Sequence, residues 1–249
     1  MNTASFRFYA DLNDFLPPQL RQQTFAHPVY DGTQSVKHLI EAIGVPHTEV
    51  ELILVNGRST DFNYLVQAGD QISAYPPFTT IEIEGMVQLR PSLIPPYRFL
   101  LDNHLGKLTR YLRLLGFDAL YFNDQADDPE LAEMAHKEKR ILLTRDRGLL
   151  KRGNVIYGYC LRTRDSLAQL TAVLHRFQPH DQIKPWTRCL RCNGLLEPVE
   201  KETIMDRLEP KTKLYFHEFQ ICRDCQQIYW QGSHSSRLQA IVAQATAER

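Results

Sequence analysis

Four of the five cysteines in this chain form two C-x-x-C pairs, and this pattern constrains its fold more than any other feature. The pairs lie in the strings RCLRCNG, at 188–194, and ICRDCQ, at 221–226. Each C-x-x-C forms a tight turn whose two thiolates can bind one tetrahedral Zn²⁺. In a reducing compartment, such pairs favour a metal over a disulfide. We therefore predict one structural zinc ion, bound by Cys189, Cys192, Cys222 and Cys225.

The spacing of the two pairs predicts an insertion between them. The 29 residues from 193 to 221 exceed the common spacing of about 15–20 residues. A hairpin with strands in 197–205 and 213–219 would bridge this distance. A redox dithiol is the main alternative for either pair, and His217 and His234 are alternative ligands. Four thiolates leave no open position on the metal, so the zinc is predicted to be structural and not catalytic.

Composition points to an ordinary globular protein. The chain has 249 residues, of which 43% are hydrophobic and 23% charged. No apolar run approaches the roughly 18–20 residues of a membrane span. The N-terminus lacks a basic stretch followed by an apolar core, so no secretory signal is predicted. We expect a cytoplasmic protein that does not associate with membranes.

Proline-rich stretches at 76–77, 91–96 and 179–185 suggest three domains, at 1–80, 97–178 and 186–249. Their charges differ. Residues 1–80 hold 4 Lys/Arg against 8 Asp/Glu, a net of −4, whereas residues 99–185 hold 14 against 11, a net of +3. Residues 186–249 hold 9 against 8, a net of +1. The middle domain is therefore the best candidate for a surface that binds a polyanion.

The first domain has the pattern of a mixed α+β fold. A strand-like run around Phe6 and Phe8 precedes a helix at 35–43, a strand at 51–55, and a last strand ending at 75. The strings VNG and GDQISAYPPF resemble the ubiquitin-like β-grasp sulfur carriers. Those carriers work through a C-terminal Gly-Gly, whereas this chain continues past Phe78 without one. We therefore expect a docking domain for a protein partner, with sulfur-carrier chemistry as the alternative.

The middle domain alternates strands and helices. Strands are predicted at 99–101, 118–122, 140–144 and 154–159, and helices at 104–115, 129–139 and 165–177. On the first helix, four leucines spaced three and four residues apart form one apolar face: Leu105, Leu108, Leu112 and Leu115. This order predicts a parallel sheet with helices on both faces.

This topology predicts that three carboxylates lie at the same edge of the sheet. Asp102 and Asp146 come just after predicted strands, and Asp128 precedes a helix, as does its competitor Asp127. In open parallel sheets, the functional crevice lies beyond the carboxyl ends of the strands. Clustered carboxylates suit a hard divalent cation such as Mg²⁺, which supports phosphodiester hydrolysis. Each aspartate could instead cap the helix that follows it, and a cap is the favoured interpretation of Asp165.

Basic residues flank these carboxylates. Three lie three residues apart on the helix after Asp102, and two flank Asp146: Lys107, Arg110, Arg113, Arg145 and Arg147. Cations beside an acidic pocket suit a nucleic-acid backbone, although they could also form a solvated face. Trp186, Tyr229 and Trp230 could stack on bases or pack in a small core.

The strings FLLDNHLGKLTRYLRLLGFDALY, DDPELAEMA and RILLTRDRGLLKR, together with the cysteines, resemble the Mut-seven C-terminal ribonuclease family. That family joins a PIN-like nuclease domain to a zinc ribbon, and some bacterial members carry a preceding ubiquitin-like domain. The resemblance implies a divalent-metal site at Asp102, Asp128 and Asp146. It predicts an endoribonuclease that uses Mg²⁺ or Mn²⁺ to hydrolyse RNA. The alternative is a non-catalytic adaptor that binds RNA through the ribbon and the basic face.

Overall fold

The computed structural model describes residues 2–78, 85–122, 127–230 and 235–247. The strands are β1 (Thr3–Phe8), β2 (Thr24–Pro28), β3 (Leu52–Val55), β4 (Arg58–Ser59), β5 (Gln71–Tyr75), β6 (Arg98–Leu101), β7 (Asp118–Tyr121), β8 (Ile141–Thr144), β9 (Gly158–Cys160), β10 (Leu196–Val199), β11 (Phe219–Cys222) and β12 (Ile228–Tyr229). The α-helices are α1 (Val36–Ile43), α2 (Gly106–Leu114), α3 (Asp128–Lys137), α4 (Arg147–Leu150), α5 (Ser166–Phe177), α6 (Lys201–Ile204), α7 (Pro210–Tyr215) and α8 (Ser235–Ala247). Short 3₁₀ helices occur at Ala10–Phe15, Pro18–Leu20, His47–Glu49, His180–Gln182 and Met205–Arg207.

The contacts within the chain group it into two compact units. The first unit joins Met1–Leu93 to Asp128–Cys160, and the second joins Ile94–Asp127 to Leu161–Arg249. This grouping differs from the three segments that the proline-rich stretches suggested. Part of the middle segment belongs with the N-terminal domain, and part belongs with the cysteine-containing region.

The N-terminal part of the first unit is a β-grasp. Strands β1 to β5 form a sheet in the order β2-β1-β5-β3-β4, in which β1 and β5 run parallel and the other pairs antiparallel. Alternation along β1 buries Ala4, Phe6 and Phe8 on one face. Helix α1 begins after Ser35, whose hydroxyl oxygen accepts a hydrogen bond from the N–H of His38. The ubiquitin-like prediction is confirmed.

The remaining part of the first unit carries Asp146. Strand β8 is buried along its whole length and pairs in parallel with β9. The predicted strand at 154–159 is shorter and later than expected, because β9 occupies only Gly158–Cys160. Its first residue packs closely: a Cβ at Gly158 would lie 2.6 Å from the Leu150 side chain and 3.4 Å from Thr48 Cβ.

The second unit begins with a βαβ element, in which β6 and β7 pair in parallel and α2 connects them. The four leucines that predicted an apolar helix face are all buried: Leu105, Leu108, Leu112 and Leu115. Gly116 follows the end of this helix and has φ +92°, a backbone conformation that residues other than glycine rarely adopt. A Cβ there would also meet the backbone of Lys184, so this glycine lets the segment after α5 pack against the end of α2.

The C-terminal part of the second unit is a ribbon in which β10, β11 and β12 pair antiparallel. The hairpin predicted between the cysteine pairs is present only at its base, where β10 and β11 pair antiparallel, because the residues between them fold mainly as the short helices α6 and α7. Pro210 occupies the first turn of α7, where a missing N–H does no harm. Ile204 and Leu208 lie four residues apart and pack on the apolar face of β11 and β12, which a flat hairpin would leave uncovered.

The predicted fold class is therefore confirmed: a ubiquitin-like β-grasp, parallel strands with helices, and a C-terminal region with a four-cysteine cluster. No helix in the described part of the chain is long and apolar enough to cross a membrane.

Candidate metal centre and nuclease site

The two C-x-x-C pairs come together in the ribbon. Cys189 and Cys192 lie in the turn before β10, Cys222 ends β11, and Cys225 lies in the turn that follows. The four sulfur atoms lie within 4.8 Å of one another. The Sγ–Sγ distance is 3.6 Å between Cys189 and Cys225, and 3.4 Å between Cys192 and Cys222. These distances are too long for a disulfide and close to the roughly 3.8 Å between sulfurs bonded to one tetrahedral zinc ion.

Hydrogen bonds around Cys189 favour a thiolate. Burial opposes ionisation of this thiol, but bonds from the Tyr229 hydroxyl and from the N–H groups of Cys192 and Arg191 outweigh it and lower the pKa to about 7. The Tyr229 oxygen lies 3.1 Å from Cys189 Sγ. Burial and the neighbouring thiols raise the pKa of Cys192 to about 12, so charge on all four sulfurs needs a cation. Four cysteine donors around one point fit a structural zinc ion.

The first cysteine turn is bonded to the βαβ element of the same unit. The Arg113 guanidinium donates to the carbonyls of Ala119, at 2.8 Å, and of Arg191, at 2.8 Å. The Asn193 side chain accepts from the Ala119 N–H at 3.0 Å and donates to Asp118 at 2.8 Å. This asparagine therefore satisfies one backbone N–H of the edge strand β7. The ribbon and the α2–β7 element are held together by side chains that reach across to backbone.

Asp102 is placed as the sequence predicted, directly after β6. Its side chain is buried, at 7% exposure, and its Oδ1 accepts a hydrogen bond from the His104 N–H at 3.0 Å. The alternative role as a helix cap is not what the structure shows, because Leu105 occupies the cap position of α2. Asp102 therefore lies beyond the carboxyl end of a parallel strand, where ligands bind in open α/β sheets.

Asp128 and Asp146 lie in the first unit, whereas Asp102 lies in the second. Asp128 is the first residue of α3, and Asp127 immediately precedes that helix. Asp146 caps α4: its Oδ1 accepts from the Gly148 N–H at 2.6 Å, and its own N–H donates to Thr144 Oγ1 at 2.9 Å. The cap uses one carboxylate oxygen and fixes the orientation of the other.

Asp165 is a helix cap, as the sequence favoured. Its Oδ1 accepts from the N–H groups of Leu167 and Ala168, which begin α5. Among the described residues, the cluster of His, Cys, Asp and Glu side chains close enough to hold a metal ion is the four cysteines. The three predicted acidic residues therefore remain a prediction as a shared metal site.

The five basic residues predicted to bind RNA have different environments. Lys107 and Arg110 are exposed on α2, and Arg145 is half-buried after β8. Arg113 is 6% exposed, and burial lowers the pKa of its guanidinium. Because Arg113 already donates to backbone carbonyls inside the second unit, we leave it out of the proposed RNA surface.

Arg147 is exposed but engaged within the first unit. Its guanidinium donates to the Phe15 carbonyl at 3.1 Å and lies 4.9 Å from the centre of the Phe15 ring. Sequence reasoning also missed Arg191 and Asn193, which lie inside and just after the first C-x-x-C. The asparagine in the string RCNG was the available signal, since a residue after a metal-binding turn often adopts φ > 0, as Asn193 does at 76°.

Comparisons with known proteins agree with the motif resemblance. The family model described as Mut7-C RNAse domain matches residues 97–242, and the model described as Mut7-C ubiquitin matches residues 1–82. The human protein Exonuclease mut-7 homolog is 38% identical over 104 residues, which is 39% of this chain and 12% of the human protein. No solved structure matches. Since the RNAse-domain model covers more than half of it, the chain belongs to the Mut7-C RNAse domain family and carries a Mut7-C ubiquitin domain at its N-terminal end.

Proposed function

We propose that this chain is a divalent-metal-dependent ribonuclease that cleaves RNA internally. The observation that carries the proposal is Asp102, a carboxylate buried at the end of β6 within the RNAse-domain match. Asp128 and Asp146 are proposed as the other two carboxylates. Carboxylate oxygens are the donors that Mg²⁺ and Mn²⁺ prefer, and such an ion lowers the pKa of a bound water and stabilises charge on a phosphate.

The chain's own residues would orient and neutralise the reacting groups. The His104 N–H fixes one oxygen of Asp102, and the α4 cap fixes one oxygen of Asp146. Lys107 and Arg110 are exposed on the helix that follows Asp102, where they can bind RNA phosphates. Arg145, next to Asp146, is proposed to do the same. The four cysteines support the ribbon and take no part in the hydrolysis.

The test is cleavage of a circular RNA in the presence of Mg²⁺ or Mn²⁺. Only an endonuclease can open a circular RNA, because it has no ends. Asp146→Asn is the informative variant, because asparagine caps a helix about as well as aspartate and removes only the charge. We expect at least a hundredfold loss of cleavage with unchanged thermal stability, since removal of one charge-stabilising group costs roughly 10²–10³ in rate. Asp165→Asn, at a matched cap, should cleave normally.

Three outcomes would contradict the proposal in different ways. Full activity of Asp146→Asn would exclude this carboxylate from the site. Cleavage of linear but not circular RNA would indicate an exonuclease, the activity in the name of the human relative. RNA binding without turnover under any metal condition would favour the adaptor alternative.

The ubiquitin-like domain is proposed to bind a protein partner as well. Its excess of acidic residues favours a basic surface on that partner. Part of the domain is already occupied, because residues 15, 41, 47 and 49 contact residues 147–160 of the same unit. A partner would therefore bind elsewhere on the domain.

A further inference from the structure

Two neighbouring cavities of the second unit lie outside the metal centre. The first is a cleft of about 530 Å³ between α2 and the first cysteine turn, hereafter the cationic cleft. Arg110, Arg113 and Arg191 line it, together with Tyr121. None of the described residues that line this cleft is acidic. Arg110 and Arg191 bring two exposed guanidinium groups to a cleft without a carboxylate, which suits a polyanion, whereas Arg113 is buried in its wall.

Arg191 is presented rigidly to this cleft. Its carbonyl accepts a hydrogen bond from Arg113 at 2.8 Å, and the N–H of the next residue, Cys192, donates to Cys189 Sγ at 3.5 Å. Its side chain is exposed, as is that of Arg110 across the cleft on α2. The backbone of Arg191 is thus fixed by the helix on one side and by a zinc ligand on the other. A cation on a fixed backbone loses less conformational entropy when it binds a phosphate.

The second cavity is a groove of about 1040 Å³ on the ribbon, hereafter the aromatic groove. Trp186, Tyr215 and Trp230 line it, and Tyr215 is 72% exposed. Trp230 is 41% exposed and packs its other side at a tilt against Phe216 and Phe219. Sequence analysis left open whether the tryptophans stack on bases or pack in a core, and Trp230 is placed to do both.

The cleft and the groove adjoin each other, because both are lined by Leu190, Gln227 and Tyr229. Their chemistry differs. Glu200, Glu218 and Lys211 line the groove, so it lacks the excess of cations found in the cleft. Cations on one side and exposed aromatic rings on the other are the two features by which proteins bind single-stranded nucleic acid.

We propose that the aromatic groove and the cationic cleft together bind one segment of single-stranded RNA. Unstacked bases occupy the groove, and the phosphates that follow lie between Arg110 and Arg191. The cleft leads toward Asp102, since Tyr121 in its wall donates a hydrogen bond to the carbonyl of Asn103 at 2.8 Å. The inference rests on the proposed function for the claim that the bound strand is a substrate. The zinc ion then acts indirectly, by holding Arg191 in place.

The test is binding of a fluorescein-labelled oligouridine of about 12 nucleotides, followed by fluorescence anisotropy. The full chain carries Asp146→Asn in every sample, so binding is measured whether or not the chain is a nuclease. Arg191→Ala should weaken binding by roughly tenfold and reduce the slope of log K against log salt by about 0.7. Tyr215→Ala should also weaken it by roughly tenfold, and Tyr215→Trp should restore it.

Matched controls lie in the β-grasp domain. Arg58 and Tyr30 are exposed residues of the same types, and Arg58→Ala and Tyr30→Ala should bind the oligouridine normally. Normal binding by both Arg191→Ala and Tyr215→Ala would overturn the proposal. So would equal affinity for a duplex of oligouridine with oligoadenine, because paired bases cannot enter the groove. Failure of the circular-RNA assay would leave these binding results unaffected and would overturn only the proposed function.

Discussion

The β-grasp domain and the ribbon each pack on a different part of the RNAse-domain match. The two contacts use the same kind of hydrogen bond but differ in what holds the bonding side chains in place. In the first unit, the His47 ring bridges Glu41 Oε1, at 2.7 Å, and the Val155 carbonyl, at 2.8 Å. Glu49 Oε1 accepts from the Cys160 N–H at 2.6 Å. In the second unit, Arg113 and Asn193 make the corresponding bonds. Both contacts use polar side chains that bond to backbone groups.

The difference lies in what holds those side chains. His47 and Glu49 are buried in a domain with its own apolar core, built on residues such as Phe6 and Phe8. Asn193 and Arg191, whose carbonyl accepts from Arg113, instead belong to the turn of the first cysteine pair. The ribbon core is small, so we expect its order to depend on a metal bound by the four cysteines. The comparison therefore predicts that loss of zinc will destabilise the ribbon and leave the β-grasp domain unchanged.

The largest expected effect is therefore loss of zinc. Cys222→Ser should release the metal, because structural zinc sites need a full set of ligands and contribute on the order of 10 kcal/mol to folding. Hydrogen exchange should then show loss of protection in residues 186–230 and at the β7 edge, with unchanged protection in β1 to β5.

The control for this variant is Cys160→Ser, at a buried thiol that is not part of the cluster. It should retain one zinc per chain by elemental analysis. A full complement of zinc in Cys222→Ser would contradict the assignment of the four cysteines. Loss of protection throughout β1 to β5 would instead show that the effect of the metal is not confined to the ribbon and the β7 edge.

A smaller loss of stability is expected from a substitution in the β-grasp domain. Glu49→Ala removes a fully buried acceptor and leaves the Cys160 N–H without this partner, which costs about 2–3 kcal/mol. Urea unfolding should show this loss for the first unit, while the zinc content stays unchanged. Glu49→Gln keeps an oxygen acceptor and should lose less. Equal losses in the two variants would show that the hydrogen bond does not account for the stability.

Much of this organisation could be predicted from the sequence. There are physical reasons why the remaining features could not be predicted. Local patterns gave the apolar face of α2, the cysteine cluster and the cap at Asp165. Arg113, which the sequence predicted to bind RNA, is buried for a geometric reason. Each three-residue step on an α-helix falls about 60° short of a full turn, so Arg113 lies about 120° around from Lys107 and faces the ribbon. The helical insertion was missed because its burial depends on strands that lie before and after it in the chain.

The contact of Arg147 is the least visible in the sequence, because Phe15 lies 132 residues away. Arg147→Ala removes an exposed cation–π contact and two hydrogen bonds to backbone carbonyls, one of them long, so the first unit should lose only about 0.5–1 kcal/mol. If the role of Arg147 is to hold its segment against Phe15, Arg147→Ala should leave RNA affinity unchanged, whereas Arg110→Ala should weaken it. Anisotropy on the two variants decides between docking and the RNA role that the sequence predicted. Equal weakening by both would place Arg147 on the RNA surface and make the contact with Phe15 secondary.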